Sequence, residues 1–347
     1  MTTLVKSGEK VKTYELAGDF GIQSLALKEI SAPELQPHQV RIRIGAASLN
    51  FRDLMIVKGT YNPHLKKPAV PLSDGAGEVV EVGEAVTRVK VGDRVMGIFM
   101  QKWLSGRPDE AAARSALGGG GPLGMLSQSV VLHEDGVVHV PEHLSIEEAA
   151  TLPCAAVTAW HALITSGQIK PGDTVLTQGT GGVSIFAIQF ALAAGARVIG
   201  TSSSDEKLEK LKKLGLSDLI NYKKTPEWGK QVLKLTGGVG VDHVVEVGGS
   251  GTLGESLKAV RIGGQVSVIG VLAGGEASVG PRALLMKSIR LQGIFVGSRE
   301  MFEAMNAAIS LHKIKPLVDK VFSFDQAKEA MQYMESGSHF GKIVIRM

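Results

Sequence analysis

The sequence is almost without cysteine: of 347 residues, only Cys154 carries a thiol. That excludes an internal disulfide and any thiolate-rich metal site within one chain, and it fits a reducing compartment. No apolar run approaches the length that a membrane-crossing helix needs, and Met1–Lys12 is polar. No secretory leader or membrane partner is therefore expected, and the default location is cytoplasmic. A basic patch is missing as well. Lysine and arginine number 38 against 34 acids, a net charge of +4, and they are dispersed or interleaved with acids, as in Asp205–Lys213. Nucleic acid is accordingly not an expected partner. The nine histidines are scattered along the chain and are assigned surface or core roles. A G-x-S-x-G elbow, which a serine hydrolase of the α/β type would need, does not occur.

What is present is apolar material for substantial cores: 44% hydrophobic residues over a length that suits two domains. The organising stretch is Thr174–Tyr222, which opens TVLTQGTGGVS. Thr174–Thr177 reads as a buried parallel strand, Gly179, Gly181 and Gly182 break it, and Ser184–Ala194 resumes with helical spacing of apolar residues. Glycine is needed there because a residue without Cβ turns tightly and lets a pyrophosphate reach the backbone N–H groups at a helix N-terminus. The turn, with Thr180 and Val183 inside it, is a phosphate cradle. Ser184 replaces the third glycine of G-x-G-x-x-G and is small enough for close helix–strand packing. Further strands are expected at Arg197–Thr201, Asp218–Tyr222, Asp242–Val247, Gln265–Gly270 and Ile289–Val296. Together they predict an α/β, Rossmann-type, doubly wound parallel sheet.

Up to about Pro141 the chain reads instead as β-rich, with strands such as Gln39–Ala46 and Gly75–Val82 between glycines and prolines. Met100–Leu126 reads as a long irregular segment: Gly118–Gly121 and Pro122 preclude a long helix, though Asp109–Leu117 suits a short one. Two readings of it stay open, a substrate-covering loop carrying Trp103 and a disordered excursion. After Ser298, a helix at Glu300–Leu311, a strand at Val321–Phe324, a helix at Asp325–Ser336 and a strand at Lys342–Arg346 are expected. They would return the chain to its first domain.

The order of ASLNFRD (Ala47–Asp53), GTY (Gly59–Tyr61), DGAGEVVEVG (Asp74–Gly83), VKVGDRV (Val89–Val95), LPCAAVTAWHAL (Leu152–Leu163), GTGGVS and HFGKIVI (His339–Ile345) resembles the medium-chain dehydrogenase/reductase superfamily over nearly the whole chain. The resemblance implies a GroES-like catalytic domain formed by residues 1–150 and 297–347 and a Rossmann NADP-binding domain formed by residues 151–296. It also implies an active site in the cleft and a homodimer. In the zinc-using branch, a cysteine stands where this chain has Leu49–Asn50–Phe51, and a His-Glu pair where it has Ser73–Asp74. Only Cys154 matches a third ligand position, and it reads more simply as a small buried core residue. The Met100–Leu126 segment has no cysteines for a structural zinc. The chain is similar to the zinc-free branch, and no metal is expected.

A coenzyme preference follows from the residues after the second Rossmann strand. An Asp or Glu there would take the ribose 2′-hydroxyl of NAD, but this chain has Thr201, Ser202 and Ser203 with Lys207 close behind. Hydroxyls and an ammonium suit a 2′-phosphate. The stretch resembles NADPH-using quinone, enone and alkenal reductases, in which the lysine at Lys207 and the tyrosine at Tyr222 hold the 2′-phosphate and adenine ribose. The plainer alternative makes Ser203 and Glu206 a capping box and Lys207 a surface lysine. The resemblance also marks Asn50, Asp53, Thr158, Gly248, Gly270, Val271, Leu272, Phe295, Val296, Gly297, Gly341 and Lys342 as coenzyme positions. Arg52 and Asp53 read alternatively as a local ion pair.

Without a metal, hydride delivery to a carbonyl or enone needs donors for the developing oxyanion. By resemblance to zinc-free enoyl and quinone reductases, Tyr61 and Asn50 are the candidate catalytic residues, and Tyr61 reads alternatively as an aromatic wedge at a loop corner. The expected activity is zinc-independent, NADPH-dependent hydride transfer to a quinone, an α,β-unsaturated carbonyl or a simple aldehyde or ketone. The alternative is an NADPH-binding protein with little turnover, similar to the zeta-crystallins.

Overall fold

The structure, a computed structural model, describes residues 8–121, 123–272 and 280–347. The chain divides into two compact units: residues through Val157 together with Gly297–Met347, and Thr158–Val296. Among the described residues, no helix is long and apolar enough to cross a membrane.

The first unit opens on a hairpin of β1 (Lys10–Leu16) and β2 (Leu25–Ser31), paired Lys10 to Ser31 and Leu16 to Leu25. It continues through β3 (Gln39–Ser48), β4 (Asp74–Val82), β5 (Arg94–Gly97), β6 (Ser129–His133) and β7 (Val137–His139). β3 is the hub of these strands, antiparallel to both β4 and β6. Its contact with β4 explains a glycine of the DGAGEVVEVG motif: a Cβ on Gly77 would lie 2.0 Å from the Arg43 carbonyl oxygen. Only a bare Cα fits there. The helix Phe51–Val57 follows β3 directly and buries Leu54, Ile56 and Val57.

The expected irregular segment is anchored rather than loose. Phe99, Met100, Trp103, Leu117, Met125 and Leu126 are buried, Met100 bridges Ala116, and Trp103 Nε1 donates to the Gly106 carbonyl at 3.0 Å. Trp103 thus packs into the interior in this structure. The short helix in this segment spans Glu110–Ala113, and Pro122 lies outside the described residues.

The second unit carries β8 (Thr174–Gln178), β9 (Arg197–Ser202), β10 (Asp218–Asn221), β11 (Val241–Glu246), β12 (Val260–Val268) and β13 (Arg290–Gly293). All pairings are parallel, in the order β10-β9-β8-β11-β12-β13. This is the doubly wound sheet, with its reversal of direction between β8 and β11. Its core gathers Leu176, Ile199, Val244 and Val266, the inward residues of near-continuous apolar runs. β12 starts five residues before the expected strand, at Val260, while β13 is shorter than Ile289–Val296.

The chain then re-enters the first unit through the helix Arg299–His312, β14 (Val318–Ser323), the helix Ala327–Glu335 and β15 (Lys342–Arg346). The larger sheet there runs β14-β15-β3-β4-β5-β7, with β6 also on β3. β15 pairs antiparallel with the end of β3, Val344 opposite Ser48, so both chain ends build one core with Leu49, Leu54, Met331 and Ile343.

Candidate functional site

In the second unit, the candidate residues collect at the carboxyl ends of the strands. β8 ends at Gln178, and the chain turns through Gly179, whose φ of +69° favours glycine. A Cβ at Gly179 or Gly181 would meet no heavy atom within 4 Å. The turn therefore opens onto space that a phosphate group can fill, at the N-terminus of the twelve-residue helix Gly182–Ala193. Thr180 is buried beneath it, and Val183 lies in the first helical turn. Ser184 does more than pack closely: buried, it donates its hydroxyl to the Gln178 carbonyl at 2.6 Å, closing the turn from below.

One strand further out, Ser202 Oγ accepts from the Ser204 N–H at 3.2 Å, and the Tyr222 N–H donates to the Ser202 carbonyl at 3.1 Å. β9 and β10 thus bring Ser202, Ser203 and Tyr222 to one corner, with Lys207 in the first turn of the helix Asp205–Lys213. The capping residue differs from the expected one. Ser204, not Ser203, receives the Lys207 N–H, at 3.3 Å, because the helix begins one residue later. Ser203 is left outside the helix. The two nearby carboxylates are engaged locally: Asp205 takes Asn221 Nδ2 at 2.7 Å and Lys224 Nζ at 2.5 Å, and Glu206 pairs with Lys210 at 3.0 Å.

Past the reversal point, Gly248 follows β11, and Gly270, Val271 and Leu272 follow β12, the last two more than half exposed. Thr158 is buried at the start of this unit. Phe295 is half-exposed and Val296 is buried, its carbonyl accepting from His161 Nδ1 at 2.7 Å. The alignment of turns also depends on two buried polar residues, Gln178 and Glu246, that the sequence reading passed over. Their signal was available as a polar residue closing each of two otherwise apolar strands.

In the first unit, Asn50 precedes the helix Phe51–Val57, and its N–H donates to Asp53 Oδ2 at 2.8 Å. Asp53 is fully buried, and its other oxygen lies 3.9 Å from Arg52 Nη1. With no exposed surface, the Asp53 side chain holds the start of its own helix and faces Arg52, which favours the local role weighed beside a coenzyme contact. Arg52 stacks between the Tyr61 and Phe99 rings, its Cζ 5.2 Å and 4.7 Å from their centroids, and donates to the Leu117 carbonyl at 3.1 Å. Tyr61 is 42% exposed, so its phenol remains open to a ligand.

Lys342, at the start of β15, turns inward. Its Nζ donates to the Leu49 carbonyl at 2.6 Å and to Asn50 Oδ1 at 2.7 Å, and lies 3.8 Å from Asp74 Oδ2. Asp74, fully buried, also accepts from Ser73 Oγ at 2.9 Å and the Cys154 N–H at 3.2 Å, the latter in the first turn of the π-helical segment Leu152–Ala156. Burial raises the Asp74 pKa against the pull of Lys342, and burial together with the Asp74 charge pushes the Cys154 thiol up. Gly341, just before, has φ +89°, and a Cβ on it would lie 2.4 Å from the Leu317 carbonyl oxygen. Gly297 is equally tight, 2.7 Å from Val157 Cγ1 by the same measure.

Two histidine spacings that the sequence reading overlooked are also accounted for. His133 precedes Glu134, and His139 stands four before His143. Glu134 accepts from the Thr87 and Arg88 N–H groups and lies 3.0 Å from His38, while His139 meets Asp93 and His143 the Ile314 carbonyl. Among the described residues, no group of three or more His, Cys, Asp or Glu is placed to hold a metal ion.

Comparison with known proteins gives an independent line. Residues 36–142 match the family described as alcohol dehydrogenase GroES-like domain, and residues 182–310 the family described as zinc-binding dehydrogenase. A zinc-type alcohol dehydrogenase-like protein of Schizosaccharomyces pombe is 49% identical over 334 residues, covering 94% of this chain and 96% of the relative. Among solved structures, a Sinorhizobium meliloti 1021 protein superposes with a TM-score of 0.90 at 41% identity, covering 99% of this chain and 100% of that one. An NAD-dependent alcohol dehydrogenase superposes with a TM-score of 0.88 at 32% identity, covering 97% and 99%.

The buried Asp53 carboxyl makes stability depend on pH. Burial raises its pKa to about 6, Arg52 pulling the other way. A carboxyl with a folded pKa above its unfolded value of about 3.9 binds its proton more tightly in the native state. Its contribution is full below pH ~4 and is lost as pH rises through about 6. Asp53→Asn is expected to match the native protein near pH ~4 and to become more stable by roughly 1–3 kcal/mol near pH ~7. Urea unfolding across that range checks this, and a difference that does not grow with pH would count against it.

Proposed function

The chain belongs to the medium-chain dehydrogenase/reductase superfamily, and on that premise we propose that it is a zinc-independent, NADPH-dependent reductase. As an oxidoreductase of this class it binds a nicotinamide coenzyme. Its proposed substrates are quinones, α,β-unsaturated carbonyls and simple aldehydes or ketones.

The observation that carries the reading is the Lys342 ammonium. It lies against Asn50 Oδ1 and Asp74 Oδ2, at the positions where zinc-using relatives of this superfamily hold ligands. A catalytic zinc takes three protein ligands from Cys, His, Asp or Glu and keeps one position open. Here a fixed cation already engages the acceptors, and the nearby thiol is pushed toward its protonated form. The donor set does not fit a catalytic zinc. Polarisation of the substrate then falls to hydrogen-bond donors, and the exposed Tyr61 phenol, steadied by Arg52 under its ring, is the proposed one. Asn50 is proposed to support it.

The coenzyme supplies the hydride when bound. The residues present fit it: the glycine turn opens onto free space, and the backbone amides of Gly179–Val183 line a helix N-terminus. NADPH is favoured over NADH because Ser202, Ser203, Lys207 and Tyr222 share the corner where a 2′-phosphate would lie. The nearest carboxylates there are tied to Lys224, Asn221 and Lys210. Thr158, Gly248, Gly270–Leu272, Phe295–Gly297, Gly341 and Lys342 remain proposed positions around the coenzyme; for Lys342, the inward contacts make a supporting role the simpler one. A homodimer is proposed through the edge of the parallel sheet. β13 is the last strand, and Leu285 and Met286, just before it, are 76% and 69% exposed. The proposed location is cytoplasmic.

Three outcomes are expected. Fluorescence titration gives tighter binding of NADPH than of NADH, and Lys207→Ala weakens NADPH alone, by about ten- to a hundredfold; equal affinities would overturn the preference. NADPH oxidation is observed with at least one class in a panel of quinones, enones and aldehydes, and Tyr61→Phe lowers kcat by about a hundred- to a thousandfold. Tight NADPH binding with silence across the panel would instead favour a passive binder. Light scattering at micromolar concentration gives a dimer mass, and a monomer mass removes the proposed assembly.

A further inference from the structure

Glu246 is fully buried at the end of β11, and among the described residues its hydrogen-bond partners include no cation. Its Oε1 accepts from the N–H groups of Gly248, at 2.8 Å, and Gly249, at 2.9 Å, and from the Thr252 hydroxyl. Its Oε2 accepts from Gln178 Nε2, at 2.7 Å, and from the Ser256 hydroxyl. A carboxylate without a counter-ion persists in an interior only when donors surround it. Here five donors do, and four of them belong to the segment that turns the chain after β11 and starts the helix Leu253–Ala259.

The fifth donor links that segment to the glycine turn. Gln178 Oε1 accepts from the Val247 and Gly248 N–H groups at 3.2 and 3.3 Å, and the Gln178 carbonyl holds Ser184. The linkage extends outward. A Cβ on Gly249 would lie 3.0 Å from Val271 Cα, so the turn after β12 rests on this glycine, and the Leu272 N–H donates to the Val247 carbonyl at 3.4 Å. Gln178 and Glu246 stand on β8 and β11, the two strands that flank the reversal of the sheet, where open α/β sheets bind their ligands.

We propose that Glu246, acting with Gln178, is a positioning residue for coenzyme binding: it pins the turns after β8, β11 and β12 in one register along the ligand-binding edge. The proposal rests on the reading of the chain as a nicotinamide-coenzyme oxidoreductase. Glu246 touches no ligand itself. It sets the distance between the phosphate cradle and the loops Gly248–Gly249 and Gly270–Leu272. Replacing it with glutamine puts an NH₂ group where an oxygen must accept, and at least one of the backbone or side-chain donors loses its partner.

The test uses the full chain and the probes NADPH and NADH. Glu246→Gln is expected to weaken both coenzymes by the same factor, about ten- to a hundredfold, unlike Lys207→Ala, which discriminates between them. Without coenzyme, hydrogen exchange at Gly248 and Gly249 accelerates in Glu246→Gln, while exchange along β8 and β9 is unchanged. Saturating NADPH slows it again. Gln178→Ala produces a similar loss, and the double variant loses no more than the worse single one, because both act through one pin. Should Glu246→Gln not fold, Thr252→Ala, which removes one donor and keeps the carboxylate, is expected to show the same pattern at smaller amplitude. A native protein that binds neither coenzyme overturns the functional reading and this proposal with it. Binding by the native protein that is unaltered in the variants, or losses that multiply, overturns the proposal alone.

Discussion

An ammonium buried at the start of β15 reaches across 293 residues of sequence to the Leu49 carbonyl, and toward the Asp74 carboxylate on β4, the strand beyond β3. Lys342 is 3% exposed and Asp74 not at all. Neither charge is tolerable alone in such surroundings: removing one partner of a buried pair typically costs about 3–5 kcal/mol. The pair therefore favours docking of the returning C-terminal segment beside β3, with β4 on the far side. That docking in turn completes the core around Leu49, Leu54 and Ile343 and seats Asn50 at the head of its helix. Stability and the chemistry of the candidate site come from the same contact.

The parallel sheet of the second unit meets the opposite problem. Under the proposed function its carboxyl edge presents bare backbone amides to an anion, and bare amides in turns are mobile unless something holds them. Glycine supplies the conformations, as at Gly179 with φ +69°, but no side chain with which to hold them. The neighbouring polar residues do that instead: Ser184 from below the first turn, and Glu246 with Gln178 between the turns. The hydrogen bonds are those a buried carboxylate and amide require for their own desolvation, so satisfaction of the interior and rigidity of the edge are one arrangement.

Much of this was legible in the chain. The alternation of apolar strands, glycine turns and helical spacings between Thr174 and Val268 marked the doubly wound sheet, because each signal is local and repeats. β15 was placed to the residue, since Lys342–Arg346 is a short apolar run between a glycine and the chain end. The corner of Ser202, Lys207 and Tyr222 was likewise visible, as hydroxyls standing where a carboxylate is otherwise expected. Less was legible where a residue's task is set by distant neighbours. Trp103 read as part of an irregular segment because the flanking glycines are visible locally, while its burial is not. Asp53 read as a coenzyme contact and proved to be sealed inside, and the polar ends of β8 and β11 drew no notice at all.

The sequence alone determined the class of fold, the glycine turn between β8 and its helix, and the membership of a superfamily. Each rests on periodicity, turn chemistry or motif order, which are properties of neighbouring residues and survive without coordinates. Only the tertiary structure decided which charges are buried together, which way Lys342 points, and which polar groups tie one turn to the next. Burial and partnership are set by packing between segments far apart in the chain, and nothing in a residue's own neighbourhood encodes the depth at which it will come to lie.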